Sequence, residues 1–193
     1  MRKIILASQS RQRQKLLRQI GLEFICAKSD VKENMKLGLG GCAELVMSNA
    51  LKKAHDVARH HRAGVVIAAD TVVLSGRKII GKPKDLSDAF RTLKLISQKP
   101  QWVYTGMAVI DIDNKKVLAD YEKTKIYMYR LSDRQIRNYF RKVSPMDKAG
   151  SFDIQGLGSI FINRIEGCFN NVIGLPLAKL AKMLKKIDID LFS

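Results

Sequence analysis

The chain has 193 residues, 46% of them hydrophobic, with 35 Lys and Arg against 18 Asp and Glu. This length and apolar content support one folded domain over residues 1–193 and exclude a disordered chain, and no apolar run is long enough to span a bilayer. The formal charge of +17 favours polyanionic partners, meaning nucleotides, nucleic acid or an anionic surface.

The basic residues are spread in doublets such as Lys52-Lys53, Lys115-Lys116 and Lys185-Lys186, and no RNP signature, zinc finger or aromatic-interleaved basic stripe occurs. Cys26, Cys42 and Cys168 are scattered and form no CxxC pair, which predicts buried free thiols in a reducing compartment. The apolar run Ile4 to Ala7 is too short for a signal peptide and is ended by Ser8, Gln9 and Ser10, so a cytoplasmic location is expected.

Arg2 to Ala7 reads as a short buried strand running into a helix that Ser10 caps, Leu16, Leu17 and Ile20 face inward, and Gly21 stops. Phe24 to Ala27 reads as a second strand, residues 31–41 as a polar glycine-rich loop, and residues 43–61 as the longest helix. Gly64 to Leu74 is a nearly unbroken β-branched run, the pattern of a central strand covered on both faces. A tight turn follows at Gly76-Arg77, then an amphipathic helix over Asp85 to Ser97. Trp102 to Ile112 and Lys116 to Tyr129 read as long strands joined at Asp113-Asn114. Ser132 caps a helix to Lys142, Ser159 to Ile165 is a strand, and Leu175 to Lys186 is the closing helix. Alternating strands and helices with one hairpin predict an α/β domain, bordering on α+β, with a mixed sheet and flanking helices.

Three groups of residues can carry chemistry. The strand-to-helix turn Ser8-Gln9-Ser10-Arg11-Gln12-Arg13 places hydroxyls and arginines beside a helix N-terminus, where unpaired N–H groups suit a phosphate; the same residues also describe a capped helix with solvated arginines. Asp70 is a lone carboxylate in a segment built for burial. It is either a metal ligand or general base, or it lies where the strand meets water. The remaining loops carry Glu33, Glu44, Gly81-Lys82-Pro83, Asp147-Lys148-Ala149-Gly150 and Ile154-Gln155-Gly156. Together they supply carboxylates for a divalent cation and ammonium groups for phosphates. His55, His60 and His61 share one polar helical stretch and read as surface residues.

Several segments, in order, resemble the Maf family of nucleotide pyrophosphatases, first associated with septum formation. They are Leu6-Ala7-Ser8-x-Ser10 with Arg13, Ser29-Asp30-Val31-x-Glu33, Ala50-x-x-Lys53-Ala54, Ala69-Asp70-Thr71-Val72 and Ile80-Gly81-Lys82-Pro83, then Tyr104-Thr105-Gly106, Asp147-Lys148-Ala149-Gly150, Ile154-Gln155-Gly156, Ile165-Glu166-Gly167 and Asn171-Val172-Ile173-Gly174-Leu175-Pro176. The resemblance implies two lobes around a cleft, similar to the inosine triphosphate pyrophosphatases. It also implies hydrolysis between the α- and β-phosphates with Mg²⁺ or Mn²⁺, and a homodimer as a family-level expectation.

By similarity, Asp70 activates water, Lys53 and Lys82 assist catalysis, and Glu33, Asp70 and Glu44 bind metal. Ser8, Ser10, Arg13 and Lys148 bind the triphosphate. Arg11 and Gln12 depart from the family's Pro-Arg at those positions. Three positions tied to base choice are Gln12, Thr71 and Gln155. The last two resemble the subgroup acting on dTTP, UTP and modified pyrimidine nucleotides, whereas Gln12 fits neither subgroup. The alternatives are a 7-methyl-GTP-type or broad nucleotide pyrophosphatase, and a basic nucleic-acid-binding protein without turnover.

Overall fold

The computed structural model describes residues 2–146 and 148–192. The chain divides into two compact units, one of Met1–Thr71, Tyr104–Glu122 and Asn170–Ser193, the other of Val72–Val103 and Lys123–Phe169.

In the first unit, β1 (Ile4–Leu6) pairs in parallel with β2 (Ile25–Cys26) and with β3 (Val65–Ser75), Ile5 standing opposite Ile25 and Val66. The apolar start of β3, Val65 to Ala69, follows from cover on both faces. Ile67 and Ala69 pack with Leu16 and Leu17 of α1 (Arg11–Gln19) and Leu180 and Leu184 of α6 (Leu177–Lys185). Val66 and Ala68 pack on the other side with Ala50, Ala54 and Val57 of α2 (Gly41–Ala58). The small residues of α2 permit close approach to the sheet, and Gly106 of β5 (Gln101–Asp111) makes it closer still. A Cβ there would stand 2.3 Å from the Val46 carbonyl carbon. At the sheet end, Asp111 is fully buried and accepts from Arg2, which also pairs with Asp113 at 2.9 Å.

In the second unit, the end of β3 turns through Gly76, with φ of 60°, into antiparallel β4 (Lys78–Ile80), a strand that sequence periodicity did not predict because it is only three residues long. Its core joins Ile80 to Leu93 and Ile96 of α3 (Leu86–Ile96) and to Ile136 and Tyr139 of α4 (Asp133–Lys142). Asp85 caps α3, and Ser132 with Gln135 forms a capping box on α4. β6 (Lys116–Met128) pairs antiparallel with β7 (Ile162–Glu166). The strand order is β2-β1-β3-β5-β6-β7, with β4 beside β3; β3, β5 and β6 contribute residues to both units.

The mixed sheet with flanking helices agrees with the expectation, and several boundaries shift. The last strand begins at Ile162 because residues 157–161 curl into a 3₁₀ turn. The closing helix, α6, starts at Leu177, just after Pro176, and a short helix that was not expected, α5 (Phe169–Ile173), precedes it, ended by Gly174 with φ of 116°. The second strand shrinks to two exposed residues. Of the thiols expected to be buried, only Cys42 is, and burial pushes its pKa up; Cys26 is exposed on β2. His60 and His61 lie beyond the end of α2. Among the described residues, no helix is long and apolar enough to cross a membrane.

Candidate active site

The polar residues of the first unit gather just past the end of β1, around Asp70 and Thr71 in the middle of β3. Ser10 caps α1 by accepting from the Arg13 backbone N–H, and Ser8 Oγ accepts from Ser10 N at 3.2 Å. This leaves the first-turn N–H groups of α1 as an anion-seeking terminus. The Arg13 guanidinium is spread over three neutral acceptors: the Gly174 carbonyl at 2.9 Å, Thr71 Oγ1 at 3.1 Å and Ser8 Oγ at 3.3 Å. Thr71 Oγ1 in turn lies 2.9 Å from Thr105 Oγ1, which donates to the Asn171 carbonyl. Burial pushes the Arg13 pKa down, and the charges of Asp70 and Glu33 pull it partly back. A guanidinium stays protonated through such a shift, so Arg13 is a fixed positive charge tied up by dipoles and not by a carboxylate.

Beside it, on the opposite face of β3, Asp70 is buried with 4% exposure. Its Oδ1 accepts from Lys53 Nζ at 2.8 Å and its Oδ2 from Asn49 Nδ2 at 2.9 Å. Asn49 and Lys53 are one helical turn apart on α2, so they present side by side to the strand. Lys53 Nζ also contacts Glu33 Oε1 at 2.5 Å, which places an ammonium between a buried and a half-exposed carboxylate. Asn49 does a second job. Its Oδ1 accepts from Asn34 N and its Nδ2 donates to the Asn34 carbonyl, both at 2.9 Å, fixing the residue next to Glu33. Farther along α2, Asp56 accepts from Ser29 Oγ and Asp30 N, both at 2.9 Å, and the Asp30 N–H leads the contacts that hold its carboxyl below the usual range.

In the second unit, Lys82 is exposed in the turn after β4, whose Gly81 carbonyl accepts from Gly150 N at 3.4 Å. Lys148 Nζ donates to the Ser144 carbonyl at 3.2 Å, and Gln155 is exposed with its N–H on Asp153 Oδ1 at 3.0 Å. Asp147 lies outside the described residues.

The profile of the family described as "Maf-like protein" matches residues 3–187. The chain belongs to that family. It is 42% identical over all of its length to a dTTP/UTP pyrophosphatase of Methanosarcina barkeri, covering 98% of that protein. It is also 43% identical to proteins of the same description from Caldicellulosiruptor bescii and Alkaliphilus oremlandii, over 99% of this chain and 98% and 100% of theirs. Among solved structures, the Staphylococcus aureus Ham1 protein aligns with 66% of this chain and 72% of its own, at 14% identity and a TM-score of 0.47.

The Maf-like chain does not bring all the expected residues together. Glu44 precedes Lys53 by nine positions on α2, which at roughly 100° per residue puts it on the opposite side of the helix. It is exposed there, in a cavity lined also by Met47, Leu51, His55 and Asp56. Glu44 is therefore not part of the Glu33–Asp70 pair, and no three His, Cys, Asp or Glu side chains converge on a metal position among the described residues. Gln12 is half-buried in the first turn of α1. Sequence reasoning missed Asn49 and Thr105. The signal for Asn49 was an amide one helical turn before Lys53 on an alanine-rich face; for Thr105 it was the Tyr104-Thr105-Gly106 match to the family, to which no role had been attached.

Proposed function

We propose that this Maf-like protein hydrolyses nucleoside triphosphates between the α- and β-phosphates, releasing a nucleoside monophosphate and pyrophosphate, with dTTP and UTP as preferred substrates. The observation that carries the reading is the buried Asp70, held at both oxygens by Lys53 and Asn49 in a chain more than 40% identical along its length to proteins described as dTTP/UTP pyrophosphatases. Asp70 takes the proton of a water whose oxygen bonds to the α-phosphorus, while the bond from that phosphorus to the bridging oxygen breaks and pyrophosphate leaves. Lys53 and Asn49 fix the carboxylate so that it meets the water in one orientation.

Arg13, assisted by Ser8, Ser10 and the first turn of α1, holds the phosphates and offsets the charge that grows on the leaving group. Lys82 and Lys148 are carried as further phosphate ligands, and Gln12, Thr71 and Gln155 as base contacts. Glu33 and Asp70 fit a divalent cation of the Mg²⁺ class, which is commonly bound by one or two carboxylates together with substrate phosphates. The Lys53 ammonium already stands where two carboxylates attract positive charge. When bound, the cation would supply Lewis acidity toward the phosphoryl oxygens.

The test is pyrophosphate release with Mg²⁺ or Mn²⁺ from dTTP, UTP and 7-methyl-GTP, compared as kcat/KM. A clear preference for the methylated purine rejects the substrate assignment. Gln12→Arg is expected to sharpen the pyrimidine preference, since one hydrogen-bonding partner changes discrimination by about tenfold at most.

A further inference from the structure

The three strands at one end of the sheet build an aromatic and basic face, and, against the expectation of no aromatic-interleaved basic stripe, β6 carries much of it on alternate residues. In the second unit, Thr124 and Ile126 of β6 are buried, so the residues between and beyond them point to the other side. These are Lys123, Lys125 and Tyr127, followed in the same alternation by Tyr129, which is 56% exposed. Trp102 on β5 meets Lys123 and Lys125, whose ammonium groups lie 5.4 and 5.2 Å from its ring centre. Lys125 Nζ is also 4.9 Å from the Tyr127 ring. Arg164, opposite Tyr127 in the β7 register, lies over the same ring at 4.1 Å. Glu166 is the acidic side chain of this face; it pairs with Arg164 at 3.0 Å and accepts from the Tyr127 hydroxyl.

Cations held over rings have a different chemistry from cations held by carboxylates. The ring orients the charge without neutralising it, and Lys125 makes no ion pair among the described residues. A partner that satisfies this face needs repeated negative charge together with flat groups that stack. A nucleic acid strand with unpaired bases has both, because every base offers a π-face to aromatic or guanidinium planes and every linkage offers a phosphate. A second copy of the chain meeting the same face would set like charges opposite each other. The chain's formal +17 adds long-range attraction toward a polyanion. We propose that the outer face formed by Trp102, Lys123, Lys125, Tyr127 and Arg164 binds single-stranded nucleic acid.

The experiment is fluorescence anisotropy with a dye-labelled oligodeoxyadenylate of roughly 12 nucleotides, titrated at several salt concentrations. Trp102→Ala is expected to weaken binding about tenfold through lost stacking. Lys125→Gln, a surface change that leaves the core alone, is expected to reduce the salt slope by about 0.7, one phosphate contact on a single strand. Arg164→Gln should weaken binding as well, whereas Arg13→Gln should bind like the parent protein. Unchanged affinity in all three face variants overturns the proposal. So does loss of binding in Arg13→Gln alone, or capture by phosphatidylserine vesicles with no affinity for the oligonucleotide.

Discussion

Asn49 Nδ2 lies 2.9 Å from Asp70 Oδ2, so one amide holds the buried carboxylate on the side away from Lys53 while its other atoms hold the backbone of Asn34. Replacing Asn49 by Ala removes both at once. The expected result is a loss of about 1–3 kcal/mol in unfolding free energy, from a buried carboxylate oxygen and a loop left unpaired, read by urea denaturation. Turnover should fall while KM changes less, because the aim of Asp70 is disturbed and the phosphate contacts are not. An Asn49→Ala protein with parent stability and kcat would show that the amide does not position Asp70.

Asp70→Asn should leave the fold intact, since the amide is nearly isosteric and Lys53 keeps Glu33 as a partner. Loss of a general base typically lowers the rate by about 10²–10⁴-fold. Pyrophosphate release together with a thermal melt checks both halves of the expectation. Most of the activity surviving in purified Asp70→Asn would reject the assignment.

Arg13→Lys separates charge from geometry. Lysine keeps the positive charge, but it cannot reach the Gly174 carbonyl, Thr71 and Ser8 with one planar fork. KM for the triphosphate should rise at least several-fold, with the ratio between dTTP and UTP unchanged. A change in that ratio without a change in KM would move Arg13 from the phosphates to the base.

Gly106→Ala tests how α2 is seated. The new methyl group meets backbone, not a flexible side chain, at 2.3–2.5 Å from Val46 and Met47, so the helix must shift away from the sheet. Overpacking of this kind costs about 1–3 kcal/mol. Because Asn49 and Lys53 ride on the same helix, activity should fall with the melting temperature. A fully active, fully stable variant would mean that the helix has slack that the packing does not suggest.

Asp111 sets an acid limit on stability. Burial alone would raise its pKa, but Arg2 and Asn114 outweigh this and hold it at about 2 against an ordinary 3.8. A carboxylate depressed in the folded state contributes stability that is fully present above the unfolded value and is lost as pH falls toward the folded one. The difference in unfolding free energy between the parent and Asp111→Asn should therefore be constant above roughly pH 5 and shrink between pH 3.8 and about 2. A gap that widens on acidification would contradict this.

Much of the fold was legible because its signals are local. Ser10, Asp85 and Ser132 each announced a helix start that the side chain caps, and the β-branched run from Gly64 to Leu74, with Asp70 inside it, announced a central strand. β4 and α5 were not legible because elements of three and five residues carry too little periodicity. For the site, Asp70 stood out because a charge in an apolar run needs a reason, Glu33 was one of several loop carboxylates until the family resemblance singled it out, and the role of Lys53 came from that resemblance alone. Asn49 and Thr105 are neutral residues whose roles arise from tertiary neighbours. Of the Trp102 face, Lys123, Lys125 and Tyr127 alternate along β6 in plain sequence, but Trp102 and Arg164 come from other strands, and only the register of β6 against β7 puts Tyr127 beside Arg164.

The segment carrying Glu33 is tethered twice to α2, through Asp56 at Ser29 and Asp30 and through Asn49 at Asn34. Between those tethers the chain has a set length, since an added or deleted residue would carry Glu33 past Lys53 or break one anchor. Beyond Asn34, residues 35–40 are exposed and lead into α2; the Lys36 N–H turns back to Asn34 Oδ1 at 3.0 Å and not to the helix. Insertions and deletions among relatives should therefore collect after Asn34 and spare the stretch from Asp30 to Asn34, making loop length itself a record of which residues the site holds in place.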